Sequence, residues 1–156
     1  SPSMDIQIAS NFERLIFDVN SCSSKKTLKL MNDLNERGEF KIEREELKKI
    51  KDSFFSESLS EEETKSIMSE MYRNHGILVD PHTAVGIGVA KKIPLEGNTI
   101  VLATAHPSKF SDVAMEATGI KPELPENLKN ILVEKENYDK LPKDLEKVKN
   151  YIIERA

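Results

Sequence analysis

Residues Thr99-Ile100-Val101-Leu102-Ala103-Thr104-Ala105 restrict the fold more than any other stretch of the chain. A strand with one wet face alternates apolar and polar residues. A continuous run of this length instead predicts a strand covered on both faces, as in a largely parallel sheet flanked by helices. Elsewhere the dominant spacing is three and four residues. The expected class is therefore α/β and helix-rich, with one buried strand of the parallel type among about seven or eight helices. The chain offers that strand no obvious partner. Either the rest of the sheet lies in another segment, or the pattern hides further strands.

The helices announce themselves by their ends. Ser10 with Glu13 has the spacing of a capping box, in which each side chain satisfies a free N–H at the helix start. Behind it Phe12, Leu15, Ile16 and Val19 form an apolar stripe. A second helix from about Lys25 carries Leu30, Met31 and Leu34 inward and stops at Gly38. A third, from about Glu43, has Leu47 and Ile50 as its inner face. Ser60 and Glu63 make another capping box, for a helix that buries Ile67, Met68, Met71 and Tyr72 and ends at Gly76. Asp80-Pro81 is an N-cap followed by the residue best suited to the first helical position. From Ala84 to Ala90 that helix is apolar almost all round, which predicts burial on several sides. Gly86 and Gly88 would let neighbours approach it closely. A helix after the apolar run has Phe110, Val113, Ala114 and Ala117 on one face and Gly119 near its end. The tail holds a short helix after Pro125 and a last one with Leu145, Val148 and Ile152 inward.

At 156 residues the chain can build one domain, and 38% hydrophobic with 32% charged residues describes a globular chain. A net charge of −4 gives no reason to expect a nucleic-acid partner, which requires a clustered basic surface. Lysine pairs such as Lys48-Lys49 sit among acids, as on solvated helix faces. Cys22 is the only cysteine, so no internal disulfide can form. No apolar run approaches the ~20 residues of a membrane helix, and the first residues lack a signal-peptide pattern. A cytoplasmic location and no membrane partner are the default expectation.

Ligands of open α/β sheets sit beyond the carboxyl ends of the strands, and Thr104 lies there, on the face of Ile100 and Leu102. Its hydroxyl either bonds nearby backbone or serves a ligand. His106, extended by the following Pro107, either points into a cleft or caps the next helix. Asp80 is most simply an N-cap, while His82 and Thr83 stand in a helix first turn of the kind that suits a phosphate or carboxylate. Gly86-Ile87-Gly88 lacks the third glycine of a dinucleotide loop, where Lys91 stands. His75, His82 and His106 lack metal-ligand spacing, so no metal site is expected.

Three stretches together resemble threonine synthase as found in bacteria and fungi. They are Ser1-Pro2-Ser3-Met4-Asp5-Ile6 with Ser10-Asn11-Phe12-Glu13-Arg14-Leu15, then Asp80-Pro81-His82-Thr83-Ala84-Val85-Gly86, then Ala103-Thr104-Ala105-His106-Pro107-Ser108-Lys109-Phe110. Their order matches the C-terminal third of that family over essentially the whole chain. The resemblance implies a pyridoxal-phosphate (PLP) enzyme of fold type II, similar to the tryptophan synthase β chain. Residues 1–156 would form the C-terminal portion of its large PLP-binding domain. The implied reaction converts O-phospho-L-homoserine and water into L-threonine and phosphate. Thr104 then resembles the residue that bonds the cofactor's pyridine nitrogen, with Ala103 and His106 beside it and Asp80, His82 and Thr83 lining the cleft.

In such enzymes the Schiff-base lysine and the loop that holds the cofactor phosphate lie upstream. Nothing in this chain replaces them; Lys109 lies in a family motif but not in that role. No catalytic residue is therefore expected here, and the implied partners are the remainder of the enzyme chain and, through exposed apolar surface, further copies. The competing readings are a related PLP phospho-lyase acting on another O-phosphorylated amino compound, and a non-catalytic helical interaction module.

Overall fold

A helix persists where its orphaned end groups find partners, and the ends of this chain's helices show how. The structure, a computed structural model, describes residues 8–93 and 96–156. The Ser1–Ile6 stretch that contributed to the resemblance lies outside them. Helix α1 spans Ser10–Val19, α2 Ser24–Arg37, α3 Arg44–Ser53, α4 Glu61–His75 and α5 Pro81–Lys92. A 3-10 turn at Pro107–Phe110 leads into α6, Ser111–Thr118. Beyond it come a second 3-10 turn at Glu126–Leu128 and α7, Leu145–Ile153.

The Ser60/Glu63 capping box is formed in both directions, with N–O distances of 2.7 and 3.1 Å. Gly38, Gly76 and Gly119 close α2, α4 and α6 in the left-handed conformation, which costs a glycine nothing. At α1 the expected box does not form: Ala9 is the N-cap and no side chain bonds the free N–H groups.

The chain divides after Glu123 into two compact units. In the first, Met68 of α4, Ala84 of α5 and Ala114 of α6 meet Val79 in a buried cluster, with Ile67, Met71, Ile87, Val113 and Ala117 packed around it. Both glycines of α5 are sites of close approach. A Cβ on Gly88 would come within 2.3 Å of Leu59 Cδ1, and one on Gly86 within 3.0 Å of Val101 Cγ1. Near the start of the unit Ile16 and Val19 are buried, and Lys49 Nζ of α3 donates to the Val19 carbonyl at 2.9 Å. In the second unit Asp144 caps α7 by accepting from Lys147 N–H, and the Tyr151 hydroxyl donates to Asp139. The inward positions expected for α7 are not buried there: Leu145 and Ile152 are exposed.

The α/β class expected from the sequence is corrected by the structure. No residue among those described is in a strand. Residues 99–105 are irregular, and a strand exists only as part of a hydrogen-bonded ladder. No second extended segment pairs with them among the described residues. Coverage on both faces fails as well, because Ile100 and Leu102 are 86% and 74% exposed. Continuous apolarity predicted burial, but it could not supply the neighbours that burial requires. Among the described residues no helix is long and apolar enough to cross a membrane.

Ion pairs tie α4 to its neighbours: Lys91–Glu70 at 2.5 Å and Lys92–Glu63 at 2.8 Å reach from α5, and Lys65–Glu116 at 2.5 Å reaches to α6. The hydrogen bond from Lys92 holds the Glu63 carboxyl below its ordinary value, and Lys91 does the same for Glu70. Their contribution is complete above the ordinary value of 4.5 and is lost as pH falls through the lower folded values. Lys65, raised by its bond to Glu116, behaves oppositely: its contribution is complete below 10.5 and is lost as pH rises further. All three pairs are exposed, so each effect is small. The melting temperature should stay flat from pH 8 to 5 and fall between pH 4.5 and 3. Thermal denaturation across that range checks it, and a rise towards pH 3 would contradict the assignment.

Candidate functional site

The start of α5 is organised around one carboxylate. Asp80 is 1% exposed. Its Oδ1 accepts from the His82 backbone N–H at 2.9 Å, which is the cap of α5, and lies 2.9 Å from His82 Nδ1. Its Oδ2 accepts from the Thr83 hydroxyl. A carboxylate can only accept, so His82 carries its proton on Nδ1 toward Asp80. The three donors compensate the burial of the charge, which unpaired would be costly. Beyond Asp80, the His82 ring lies against Phe110, with centroids 4.9 Å apart and planes tilted by 53°. Helix α5 is thereby joined to the end of the 3-10 turn that follows Ala103–His106.

His106 begins that turn. The Ser108 N–H donates to its Nδ1 at 3.3 Å, and Ser108 Oγ lies 2.7 Å from the same nitrogen. An Nδ1 that accepts from a backbone N–H must be bare, so the ring proton sits on Nε2. Of the two roles open to His106 in the sequence, capping the turn is observed. Its ring also borders a cavity.

That cavity, of about 480 Å³, lies where the segment 77–80 before α5 meets the segment 103–107 before α6. Asp80, Thr83, Ala103 and His106 all line it, so four of the residues singled out by the sequence come together. Thr104 and His82 do not line it. Most of the wall is apolar, from Ile77, Val79, Ala105, Pro107 and Pro122, with Glu123 as a second acid. Pro122 and Glu123 escaped the sequence reading because they lie well beyond Phe110, the end of the nearest motif; only the fold brings them in.

Thr104 turns the other way. Val101 packs toward Gly86, while Ile100, Leu102 and Thr104 are exposed. The Thr104 hydroxyl makes no hydrogen bond among the described residues and remains available.

These two sides differ in what they could hold. The cavity is lined by two carboxylates and no lysine or arginine, a poor setting for the phosphate of pyridoxal phosphate. The Thr104 hydroxyl is neutral, exposed and free, and it suits a heteroaromatic ring nitrogen that needs one hydrogen-bond partner. Residues of this chain thus fit one contact to the cofactor implied by the resemblance, and leave its phosphate to groups elsewhere.

Residues 83–152 match the family model described as threonine synthase, C-terminal. The threonine synthase of Pseudomonas aeruginosa is 36% identical over 97% of this chain and 33% of its own length. The chain spans about a third of the curated relatives it matches. Among solved structures, PLP-bound threonine synthase from Brucella melitensis superposes with a TM-score of 0.77 at 36% identity, covering 97% of this chain and 33% of that one. The yeast threonine synthase structure gives 0.73 at 30% identity, covering 99% and 35%.

Asp80 is the residue on which this corner depends. Asp80→Ala removes the cap of α5 and leaves the Thr83 hydroxyl and His82 Nδ1–H without their acceptor. The expected loss is about 2–4 kcal/mol of unfolding free energy. Urea denaturation measures it, and a change within 0.5 kcal/mol, at the level of an ordinary surface substitution, would refute the role.

Proposed function

We propose that this chain, which belongs to the threonine synthase family and matches its C-terminal third, forms part of an enzyme that converts O-phospho-L-homoserine and water into L-threonine and phosphate. The observation that carries the reading is the match itself: 36% identity to the Pseudomonas aeruginosa threonine synthase over nearly the whole chain, and a TM-score of 0.77 to the Brucella melitensis structure. In that enzyme pyridoxal phosphate supplies an electron sink for carbanions of the substrate.

The contribution of this chain's own residues is limited and specific. Thr104 offers the pyridine nitrogen a neutral hydroxyl, which does not hold a proton on the ring as a carboxylate would. Ala103 and His106 border it in sequence, and Asp80, His82 and Thr83 brace the neighbouring wall. No residue here takes the part of the lysine that binds the cofactor covalently, nor of the loop that holds its phosphate. We assign both to the remainder of the enzyme, which is the partner this chain requires. The isolated chain is then inactive. A cytoplasmic setting suits an enzyme of amino-acid synthesis with one unpaired cysteine.

The exposed apolar residues support an incomplete surface. Ile100 and Leu102 face outward beside Thr104, and Ile77 is half-exposed nearby in the wall of the cavity. In helix α5, apolar almost all round in sequence, Ala84 is fully buried while Val85, Ile87, Val89 and Ala90 are half-buried.

Two outcomes follow. In the full-length enzyme Thr104→Val should raise the pyridoxal-phosphate dissociation constant roughly tenfold and shift the cofactor's visible band, with the melting temperature little changed. An unchanged spectrum and affinity would remove Thr104 from the site. The isolated chain should self-associate or bind a hydrophobic dye, and should form no threonine from phosphohomoserine. A compact, dye-silent monomer in sedimentation and fluorescence measurements, or measurable turnover, would contradict the fragment reading.

A further inference from the structure

We infer that His82 and Gly86 are positioning residues, which set where Thr104 is presented without touching the cofactor themselves. This inference rests on the reading of Thr104 as a contact to the cofactor ring. The two residues stand four apart on α5 and so share one helix face. On the N-terminal side of Thr104, Val101 seats on the bare backbone of Gly86, where a Cβ would lie 3.0 Å from Val101 Cγ1. On its C-terminal side the His82 ring holds Phe110 at a centroid distance of 4.9 Å. The segment that carries Thr104 is therefore fixed to the same helix face at both ends.

The consequence for Thr104 follows from backbone geometry. Among the described residues no ladder fixes the register of 99–105, and the contacts of Val101 and Phe110 with α5 hold the segment there. With Val101 seated on α5, Ile100, Leu102 and Thr104 are left exposed. The His82 ring is in turn held by Asp80, 1% exposed, through Nδ1 at 2.9 Å. A buried carboxylate of this kind orients the imidazole that supports the segment.

The test is a double-mutant cycle in the full-length enzyme, read as the pyridoxal-phosphate dissociation constant from titration of the apoenzyme, with thermal melts of every variant. Gly86→Val places branched carbons where Val101 now sits and should raise the dissociation constant roughly tenfold. Adding Val101→Ala restores the space and should return most of that affinity. In a Thr104→Val background Gly86→Val should add nothing, because its effect passes through Thr104. If Gly86→Val does not fold, His82→Ala takes its place in the cycle with Thr104→Val. An effective Thr104→Val with a silent Gly86→Val, or effects that simply add, would overturn the positioning role alone. A silent Thr104→Val would overturn the ring contact itself and the inference with it.

Discussion

Helix α5 packs closely on Leu59 and on Ile67 of α4 at position 88, which has no side chain. Leu59 and Ile67 fill the space that a Cβ would occupy, at 2.3 and 3.3 Å. That contact buries Ala84 beside Met68 and brings in Val79 and Ala114. Once α5 is set, its start fixes Asp80 and its other glycine seats Val101. The cavity wall, the 3-10 turn through His82 and Phe110, and the exposed face of Thr104 all take their places from this one helix. Substituting glycine within a helix costs about 1 kcal/mol of propensity, and here the cost is offset by two close packings.

The charges around α5 divide into two kinds. Surface pairs from Lys91 and Lys92 to Glu70 and Glu63 are wet and contribute little individually. Asp80 is buried and is satisfied by three donors, two from His82 and one from Thr83. Removing a donor there strands a charge, so this small cluster governs local order far more than the visible ion pairs do. The cavity beside it is walled mostly by apolar residues with two acids, and the exposed Thr104 hydroxyl is not part of that lining. Only the hydroxyl suits a contact to the pyridoxal ring.

Much of the helical part was legible. The capping box at Ser60, the Asp80-Pro81 start and the glycine stops at 38, 76 and 119 rest on interactions within a few residues, and all appear. The Ser10 box failed although it has the same spacing, because spacing permits a cap but does not choose the residue that leaves the helix. The apolar run at 99–105 misled for a related reason. Composition reports how much burial a segment favours, while a strand needs a neighbour that composition cannot supply. In the tail, Leu145 and Ile152 kept the helical period without an opposing surface.

For the site, the sequence by itself determined the residue types and their local partners: Asp80 as cap, and His106 as the residue before Pro107. It also determined the family, because three ordered motifs identify a lineage whatever their geometry. Tertiary structure alone decided that Asp80, Thr83, Ala103 and His106 share a cavity, that Glu123 joins them, and that Thr104 and His82 do not. The physical reason is range. Caps, turns and side-chain alternation are settled by neighbours along the chain, whereas a cavity is the space left when distant segments pack. That packing depends on contacts such as Gly86 with Val101 and His82 with Phe110, which no local pattern encodes.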